Sequence, residues 1–560
     1  MGSSTKVFTR ETTGLVNVVS PHQAFIYNFM AIGLYGFTWA TLFSVGYTQS
    51  FLGANIGLAI VLMAITAIPF YVSTSMLSSA MPRSGGDYVW QSRILHPSIG
   101  FAATFSSWTV WQWYFASFLG TVISTLGLQP LLALLGLKYG NIFDVNTAAA
   151  LAAGYSQENN GLVFEVTTVI IILGFVIAAL GMRFYVRLQY ILIGGSAASA
   201  LTLLGVLATT GHAEFVSRFN SFVAPLITNQ TQMSTVTAAG GYYQYIVNTA
   251  NLATPGFSMY ATLLLLAVIW LSFGYAFWSI YNLSEIRKAG DLRSESLMQV
   301  GSALLFAVFL LVLWYLLENV IGIKFLESFF TLYNNGDPST NPLAFFYTPY
   351  YPALVASISS NPIIWYIIFG GLTLGIFQIV LIVYFASTRI QLAASLDRVL
   401  PEKISYVNQR SHSPLAALIV SAFGCEAFLY LIIYHTTYTS YFSTAGLATQ
   451  IAYILISITA ILFPFRKKEI FEASPAAKYK VGGFPLLSIM GAISLVVNLF
   501  IAWVFVAGPP LGFLSISNTT SIAFVFGIFV ACLLIYIIAW GVRSKQKIQL
   551  SLAFSEIPPE

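Results

Sequence analysis

Glycines interrupt two apolar runs of this sequence at places where the backbone could do chemistry. Gly33 and Gly36 lie in the first run, and Gly274 lies in the sixth, where the aromatic residues Tyr275 and Phe277 follow it. A membrane helix that unwinds at glycine exposes backbone donors and acceptors, which can receive a charged solute without a charged side chain. Paired interruptions of this kind are typical of transporter binding sites. The alternative interpretation is that these glycines only allow helices to pack closely.

Charged side chains are almost absent from the interior of the apolar runs. Glu426, in the ninth run, is the main exception. An acidic group at membrane depth can carry a proton or pair with a cation. It can equally be a protonated or hydrogen-bonded packing residue at a helix interface, and the sequence shows no basic partner for it.

Two charged clusters lie in the connections between apolar runs. One contains Arg83 and Asp87, and the other contains Glu285, Arg287 and Lys288. Arg83 and Asp87 could join Glu285 or a nearby basic residue in an inner gate, which would break when a binding site opens to that side. Alternatively, these residues only fix the loop conformation and the topology.

The sequence lacks the residue combinations of an enzyme or a metal protein. Its five histidines fall in tails, loops or the ends of apolar runs, without an HExxH pattern. Cys425 and Cys532 lie inside apolar runs, where a thiol usually behaves as a small hydrophobic group. We therefore expect no catalytic residues, no metal site and no cofactor. The carbonyl filter or charged ring of an ion channel is not evident either.

Composition determines the environment in which these residues act. The 560 residues are 57% hydrophobic and 8% charged, whereas a soluble domain has roughly one quarter charged residues. A bilayer crossing needs roughly 20 apolar residues, and runs of that length predict an all-α membrane protein with twelve spans. The predicted spans cover residues 24–46, 53–80, 100–128, 161–182, 188–209, 257–282, 298–323, 362–388, 414–434, 440–463, 485–507 and 518–541.

The basic residues predict the orientation of these spans. With twelve spans, 21 of the 24 Lys and Arg residues lie on one side together with the tails 1–23 and 544–560. Only Lys138, Arg218 and Lys324 lie on the other side. The positive-inside rule makes the first side cytoplasmic, so the slight basic excess requires no nucleic acid partner.

Three long segments lie on the predicted outer side, at residues 129–160, 211–256 and 324–361. They are rich in polar residues and in tyrosine but nearly free of Lys and Arg. We expect ordinary solvated loops with short interfacial helices. Sequons at Asn229 and Asn518 are compatible with an outward orientation.

Three connecting segments resemble those of a known family. Residues 81–89, MPRSGGDYV, closely resemble the connection between spans 2 and 3 of amino acid permeases in the amino acid, polyamine and organocation superfamily. Residues 386–401 look like that family's connection between spans 8 and 9, and residues 285–289, EIRKA, are similar to the end of its span 6. With the number of spans, the resemblance covers about residues 10–545.

The resemblance implies an inverted repeat of five plus five spans, with breaks in spans 1 and 6. The two repeats would cover residues 24–209 and 257–463, with an extracellular segment at 210–256 between them. Residues 464–543 would add a cytoplasmic loop and spans 11 and 12.

The family's substrate site lies between the broken spans, where the backbone receives the carboxylate and amine of an amino acid. The matching residues here are Ile32, Gly33, Leu34, Tyr35 and Gly36 in span 1, and Phe273, Gly274, Tyr275 and Phe277 in span 6. The family's first-span motif has a small hydroxyl residue between two glycines, whereas this chain has Leu34 and Tyr35. The site would be aromatic and largely uncharged.

The coupling ion stays open between a proton and sodium. Some proton-coupled relatives have a lysine in span 5, where this chain has Ser196. Sodium-coupled relatives use hydroxyls of span 8, for which Thr373 is the candidate, together with carbonyls near Gly33. We hypothesise proton-linked uptake or exchange in which Glu426 contributes only indirectly.

Together these features predict a secondary transporter that moves an amino acid or a related small amine across the plasma membrane by alternating access. Its partners would be the small-molecule substrate, a coupling ion and the lipid bilayer. A non-transporting amino acid sensor on the same fold is the alternative. A polytopic membrane enzyme is disfavoured because the catalytic groups are missing.

Overall fold

The computed structural model of the chain describes residues 14–33, 42–43, 45–140, 146–149, 151, 160–227, 230–253, 256–334, 350–435, 438, 442–507 and 519–554. Leu34, Tyr35 and Gly36 of the predicted site, and the sequon asparagines Asn229 and Asn518, lie outside these residues. Within the described residues the only sheet is a short hairpin, in which Lys480–Val481 pairs with Phe484–Pro485. The prediction of an all-α fold is confirmed.

Eleven of the described helices are long and apolar enough to cross a membrane. Spans 2, 4, 5, 8, 9, 10, 11 and 12 are the single helices Ile56–Ala80, Gly161–Ala179, Met182–Thr209, Pro362–Leu396, Leu415–Tyr434, Phe442–Arg466, Leu486–Ala507 and Thr519–Lys545. Span 7 consists of Leu292–Ser296, the π-helical turn Leu297–Gly301 and Ser302–Val320. These eleven helices correspond in order to predicted spans 2 to 12.

Span 1 is described in part, beginning with the helix Pro21–Ile32. Its neighbours show that it crosses the bundle. Val19 bridges to Ile286 just before span 7 begins, whereas the hydroxyl of Tyr47 donates to Glu318 near the end of span 7. Since span 7 is 29 residues long, the two contacts lie at opposite ends of the bundle. Val19 and Tyr47 therefore lie on opposite sides of the bundle, which agrees with a first span between them in addition to the eleven described ones.

Residues near the two ends of the described chain lie on the same side of the bundle, which we call the inner side. Val19 lies against Ile286 after span 6, and the carbonyl of Ala553 accepts a hydrogen bond from Arg93 before span 3. Span 8 contacts both of these regions. Its Arg389 donates to Glu285 at the end of span 6, and Asp397, which follows the helix, accepts from Arg93. An even number of spans requires this arrangement.

Spans 3 and 8 are longer than the sequence predicts. Span 3 runs from Pro97 to Tyr139 through two π-helical turns, and span 8 continues to Leu396 instead of ending at residue 388. The parts of span 3 are Pro97–Phe105, Ser106–Val110, Trp111–Val122, Ile123–Leu128 and Gln129–Tyr139. Polar residues in the last turns of span 8 remain helical because their side chains find partners inside the protein, so they do not mark a helix end.

A short helix, Asp87–Ile94, connects spans 2 and 3 on the inner side, and we call it the loop helix. Its Arg93 donates to both carboxylate oxygens of Asp397, at 2.7 and 2.8 Å, and to the carbonyl of Ala553 at 3.3 Å. The guanidinium carbon also lies 5.0 Å from the ring centre of Phe554. We call Arg93, Asp397 and Phe554 the inner clamp, because they hold the loop helix against span 8 and the C-terminal residues.

The long outer segments contain short helices, as expected. Those in the described parts are His212–Val223, Gln230–Ala238, Tyr242–Ala250, Ile323–Asn334 and Tyr351–Ser357. Tyr243 and Phe325 stack with ring centres 4.4 Å apart. This stack joins two of the outer segments to each other.

Large apolar side chains face outward from several spans. Ile65, Ile191, Phe423, Val496 and Ile538 are each more than half exposed at the surface of the bundle. Contact of such apolar surface with water costs a free energy of about 25 cal/mol per Å². Lipid chains remove that cost, so these faces are the expected surface of a multi-pass membrane protein.

Candidate binding site and inner gate

Span 6 is broken at Gly274. Its outer half, Met259–Phe273, ends there, and a 3₁₀ helix, Trp278–Glu285, continues toward the inner side. The carbonyl of Gly274 accepts a 2.7 Å hydrogen bond from the hydroxyl of Tyr453 in span 10. A Cβ at position 274 would lie 2.7 Å from that hydroxyl oxygen and 3.0 Å from the carbonyl oxygen of Trp270. Both distances are shorter than van der Waals contact, so a larger residue at this position would force the Tyr453 side chain or the backbone to shift.

The inner half of span 1 ends at Gly33. This glycine has a φ of +86°, in the left-handed region, and its N–H donates to the carbonyl of Met30 at 3.0 Å. Glycine adopts this conformation without the steric cost of a side chain. The first glycine of the predicted site therefore stops a helix partway across the bundle, as a broken span requires.

Two helix C-termini lie partway through the bundle. They are the end of the inner half of span 1 at Ile32 and the end of the outer half of span 6 at Phe273. The last carbonyl groups of a helix carry partial negative charge. These ends favour a cationic group, such as the ammonium group of a solute, without any acidic side chain.

An aromatic cluster surrounds the break in span 6. Its members, from spans 2, 3, 6 and 10, are Phe70, Trp108, Tyr275, Phe277 and Tyr453. The ring centre of Phe70 lies 5.2 Å from Phe277 and 5.1 Å from Tyr453, and that of Trp108 lies 5.4 Å from Tyr453. Sequence reasoning found only the two members in span 6, because nothing in the apolar runs distinguishes the other three from packing residues.

Not every predicted site residue faces the aromatic cluster. Phe273 packs against Phe306 of span 7, with ring centres 5.5 Å apart. Ile32 is fully buried at the end of its helix. The structure thus brings Tyr275 and Phe277 together with the Gly274 backbone and directs Phe273 toward a neighbouring span.

The inner halves of spans 1 and 6 are hydrogen-bonded to each other. The side-chain amide of Asn28 donates to the hydroxyl of Ser279 at 2.9 Å and accepts from the backbone N–H of Ser279 at 2.8 Å. The side chain of Asn282 donates to the hydroxyl of Tyr27 at 3.1 Å. The backbone N–H of Val19 also donates to the carbonyl of Glu285, the last residue of span 6, at 2.8 Å. The two halves can therefore move as one unit.

Glu285 pairs with Arg389 of span 8. The guanidinium donates Nε to Oε2 and Nη2 to Oε1, both at 2.9 Å, and the two side chains are almost completely buried. Sequence reasoning named Glu285 but proposed Arg83 and Asp87 to join it, and it placed Arg389 in a loop. Arg83 lies in the turn before the loop helix and is partly buried. The ion pair joins the inner end of span 6 to span 8.

Asp87 is fully buried at the start of the loop helix. Its Oδ2 accepts hydrogen bonds from Gln91 at 2.9 Å, Trp108 at 3.2 Å and Thr104 at 3.3 Å. Its Oδ1 has no hydrogen-bond partner in the part of the chain that the structure describes. Burial raises the pKa of Asp87 to about 7, although the nearby Tyr281 hydroxyl, Thr104 and Trp108 act in the opposite direction.

The three candidates for ion coupling have different partners. Ser196 donates to the carbonyl of Leu192 in its own helix at 2.9 Å, and its hydroxyl also lies 3.3 Å from the carbonyl oxygen of Gly371 in span 8. Thr373 donates to a carbonyl of its own helix at 2.9 Å. Glu426 accepts a hydrogen bond from Thr168 of span 4 at 3.1 Å. In the described residues, these side chains do not converge on a common partner.

Comparison with known proteins gives one family. A family model for amino acid permeases matches residues 23–530, which include nearly all of the twelve spans. A search of curated proteins finds no match to the chain.

Proposed function

This chain belongs to the amino acid permease family and transports amino acids or related compounds, and from that premise we propose that it works by alternating access. The observation that carries the proposal is the pair of interrupted helices whose inner halves are hydrogen-bonded to each other. Discontinuous helices of this kind hold a solute at the middle of a membrane while one side opens at a time.

The inner side is closed in this conformation. The ion pair between Glu285 and Arg389 and the hydrogen bonds of Asn28 hold the inner halves of spans 1 and 6 against the bundle. Movement of those two halves away from span 8 would break the ion pair and open a route to the inner side. This gives Glu285 the role of an inner-gate residue, with Arg389 as its partner.

The surroundings of the break support an amino acid or a small amine as the substrate. The helix ends at Ile32 and Phe273 attract an ammonium group, and the rings of Tyr275 and Phe277 offer an apolar, polarisable surface to the rest of the molecule. We assign substrate binding to the residues of the two breaks. In span 1 these are Gly33 and the predicted site residues Leu34, Tyr35 and Gly36.

We also propose that the inner side is cytoplasmic and that the protein acts at the plasma membrane. The split of 21 basic residues against three supports this orientation. For coupling, we propose proton-linked uptake or exchange. Because Ser196 stands where some proton-coupled relatives have a lysine, the proton would bind at another group. In this scheme Glu426 contributes only indirectly.

Transport by the purified protein in liposomes tests these proposals. Uptake and exchange should be measured over a panel of amino acids and small amines, with and without proton and sodium gradients. We expect transport of at least one of these compounds, stimulated by an inward proton gradient and indifferent to sodium. Binding without any transport would favour the sensor. Strict sodium dependence that is lost on Thr373→Ala would reject proton coupling.

A further inference from the structure

Trp108 links a buried carboxyl group to the binding region. Its indole N–H donates to Asp87 at 3.2 Å, and its ring lies in the aromatic cluster, 5.8 Å from the ring of Phe277 and 5.4 Å from that of Tyr453. The Tyr453 hydroxyl in turn holds the carbonyl of Gly274. A change at the carboxyl can therefore reach the helix break through two side chains.

We propose that Asp87 is a proton-binding site whose carboxyl holds a proton while the inner side is closed and releases it when that side opens to water. This inference rests on the proposed function and adds to it the group that exchanges the proton. The only bond that forms or breaks is the O–H bond of the carboxyl, and water on the inner side accepts the proton.

The surroundings of Asp87 disfavour its ionised form in the closed conformation. The side chain has no exposed surface, and the three donors of hydrogen bonds to it are all neutral. One of its oxygens has no hydrogen-bond partner among the described residues. An ionised carboxylate in such a place is incompletely stabilised, whereas a neutral carboxyl loses little. Entry of water would hydrate the ionised form and so promote release of the proton.

The neighbouring groups fit this role. The titratable groups that interact with Asp87 are Tyr281 from span 6 and Tyr453 from span 10. The cations of the elements packed around it are Arg83 in the preceding turn, Arg93 on the loop helix, Arg389 on span 8 and Arg466 on span 10. The last of these donates to the carbonyls of Ile94 and Leu95, at the far end of the loop helix. Arg93 and Arg389 are each paired with another carboxylate. The influences that lower the pKa of Asp87 come from hydrogen-bond donors.

The sign of the pH dependence follows from the two conformations. In the closed conformation the pKa is raised to about 7, whereas a hydrated aspartic acid has a pKa of about 3.9. Between these values only the closed conformation binds the proton, so acid favours closure. The ratio of open to closed protein should rise about tenfold per pH unit up to about pH 7 and level off above it.

Alkylation of a cysteine behind the inner gate measures this ratio. Ala24 is buried and lines a small cavity between spans 1, 5 and 6. The test protein carries Ala24→Cys, with Cys425 and Cys532 replaced by alanine. Its rate of reaction with a hydrophilic maleimide is measured from pH 5.5 to 8, in detergent. Dividing by the rate of the same protein with Asp87→Asn removes the pH dependence of the thiol itself.

We expect the divided rate to rise with pH and to level off near pH 7. Thr104→Val removes a hydrogen-bond donor to the ionised carboxylate of Asp87. The pH at which the divided rate stops rising should therefore be higher in this variant. A divided rate that does not change with pH overturns the proposal. If Asp87→Asn does not fold, the pH profile of the alkylation rate is compared between the test protein with and without Thr104→Val. Identical pH profiles for these two proteins overturn the proposal.

Substrate binding, measured on the same preparation, separates this inference from the proposed function. Absence of binding for every amino acid and amine in the panel, together with pH-dependent opening, contradicts the proposed substrate but supports the proton site. Normal binding with pH-independent opening contradicts the proton site alone.

Discussion

Arg389 and Glu285 form a two-point ion pair between spans 8 and 6, with both N–O distances at 2.9 Å and both side chains almost completely buried. Loss of one partner from a buried pair costs roughly 3–5 kcal/mol, because the other charge stays buried without compensation. That cost falls on the closed conformation, since water can solvate either residue once the inner side opens. Removal of either partner should therefore destabilise the closed conformation.

Glu285→Gln should shift the protein toward the inner-open conformation. We expect the cysteine of an Ala24→Cys protein to react at least tenfold faster when Glu285→Gln is also present, measured with a hydrophilic maleimide. Glu402→Gln is the matched control, because Glu402 is largely exposed and its carboxylate lies 3.9 Å from Arg398 and 3.6 Å from Arg543. Equal rates for the two variants would contradict the assignment of Glu285 to the gate.

Gly274→Ala should weaken substrate binding while the protein stays folded. The added Cβ would collide with the Tyr453 hydroxyl, and relief of such overpacking costs about 1–3 kcal/mol, or roughly five- to 150-fold in affinity. Binding to the purified protein measures the effect, and gel filtration reports on folding. Tyr453→Phe in the Gly274→Ala background removes the closest atom and should restore part of the affinity.

Gly370→Ala is the control for that experiment. A Cβ on Gly370 in span 8 would meet no atom within 4 Å, so this variant should bind as the unsubstituted protein does. If Gly274→Ala also binds normally, the glycine serves helix packing and the break does not form the site.

Glu426→Gln should retain more than half of the transport rate in liposomes. Glu426 is partly buried and accepts one hydrogen bond from Thr168, which a glutamine oxygen can also accept. Glu165→Gln, on the exposed face of span 4, gives the rate of a neutralised acid without such a contact. A loss of more than tenfold for Glu426→Gln alone would make Glu426 the group that exchanges the coupling proton.

Single cysteines at Ser234 and Ala473 should react from opposite sides of the membrane. Both positions are exposed, the first in an outer segment and the second between spans 10 and 11. Labelling of intact cells by an impermeant reagent should reach Ser234→Cys, whereas Ala473→Cys should react only after permeabilisation. Reaction of both in intact cells would refute the proposed topology.

The spans could be predicted from the sequence because the thickness of the bilayer sets the length of every apolar run. The breaks could be predicted as well, since Gly33 and Gly274 are the residues that a left-handed turn or a close backbone contact requires. The apolar runs and the glycine interruptions can each be recognised from neighbouring residues in the sequence.

The partners within the site could not be predicted in the same way. Arg389 follows an apolar run, where a charge normally marks the end of a span, and its burial depends on Glu285, 104 positions away. Trp108 and Tyr453 resemble any other aromatic residue of an apolar run. Their direction toward the break depends on helix packing, and for Trp108 also on the π-helical turn Ser106–Val110, which changes the rotation of the helix.

The inner clamp has a consequence for biosynthesis. Asp397 follows Arg93 by 304 residues and Ala553 follows it by 460. At about 5–20 residues per second, a ribosome needs about 15–60 s to deliver the first partner and about 20–90 s to deliver the second. During that interval the guanidinium has neither of these partners, so the connection between spans 2 and 3 should remain in water while the later spans insert. Closure of the clamp would then be among the last steps in the maturation of the protein.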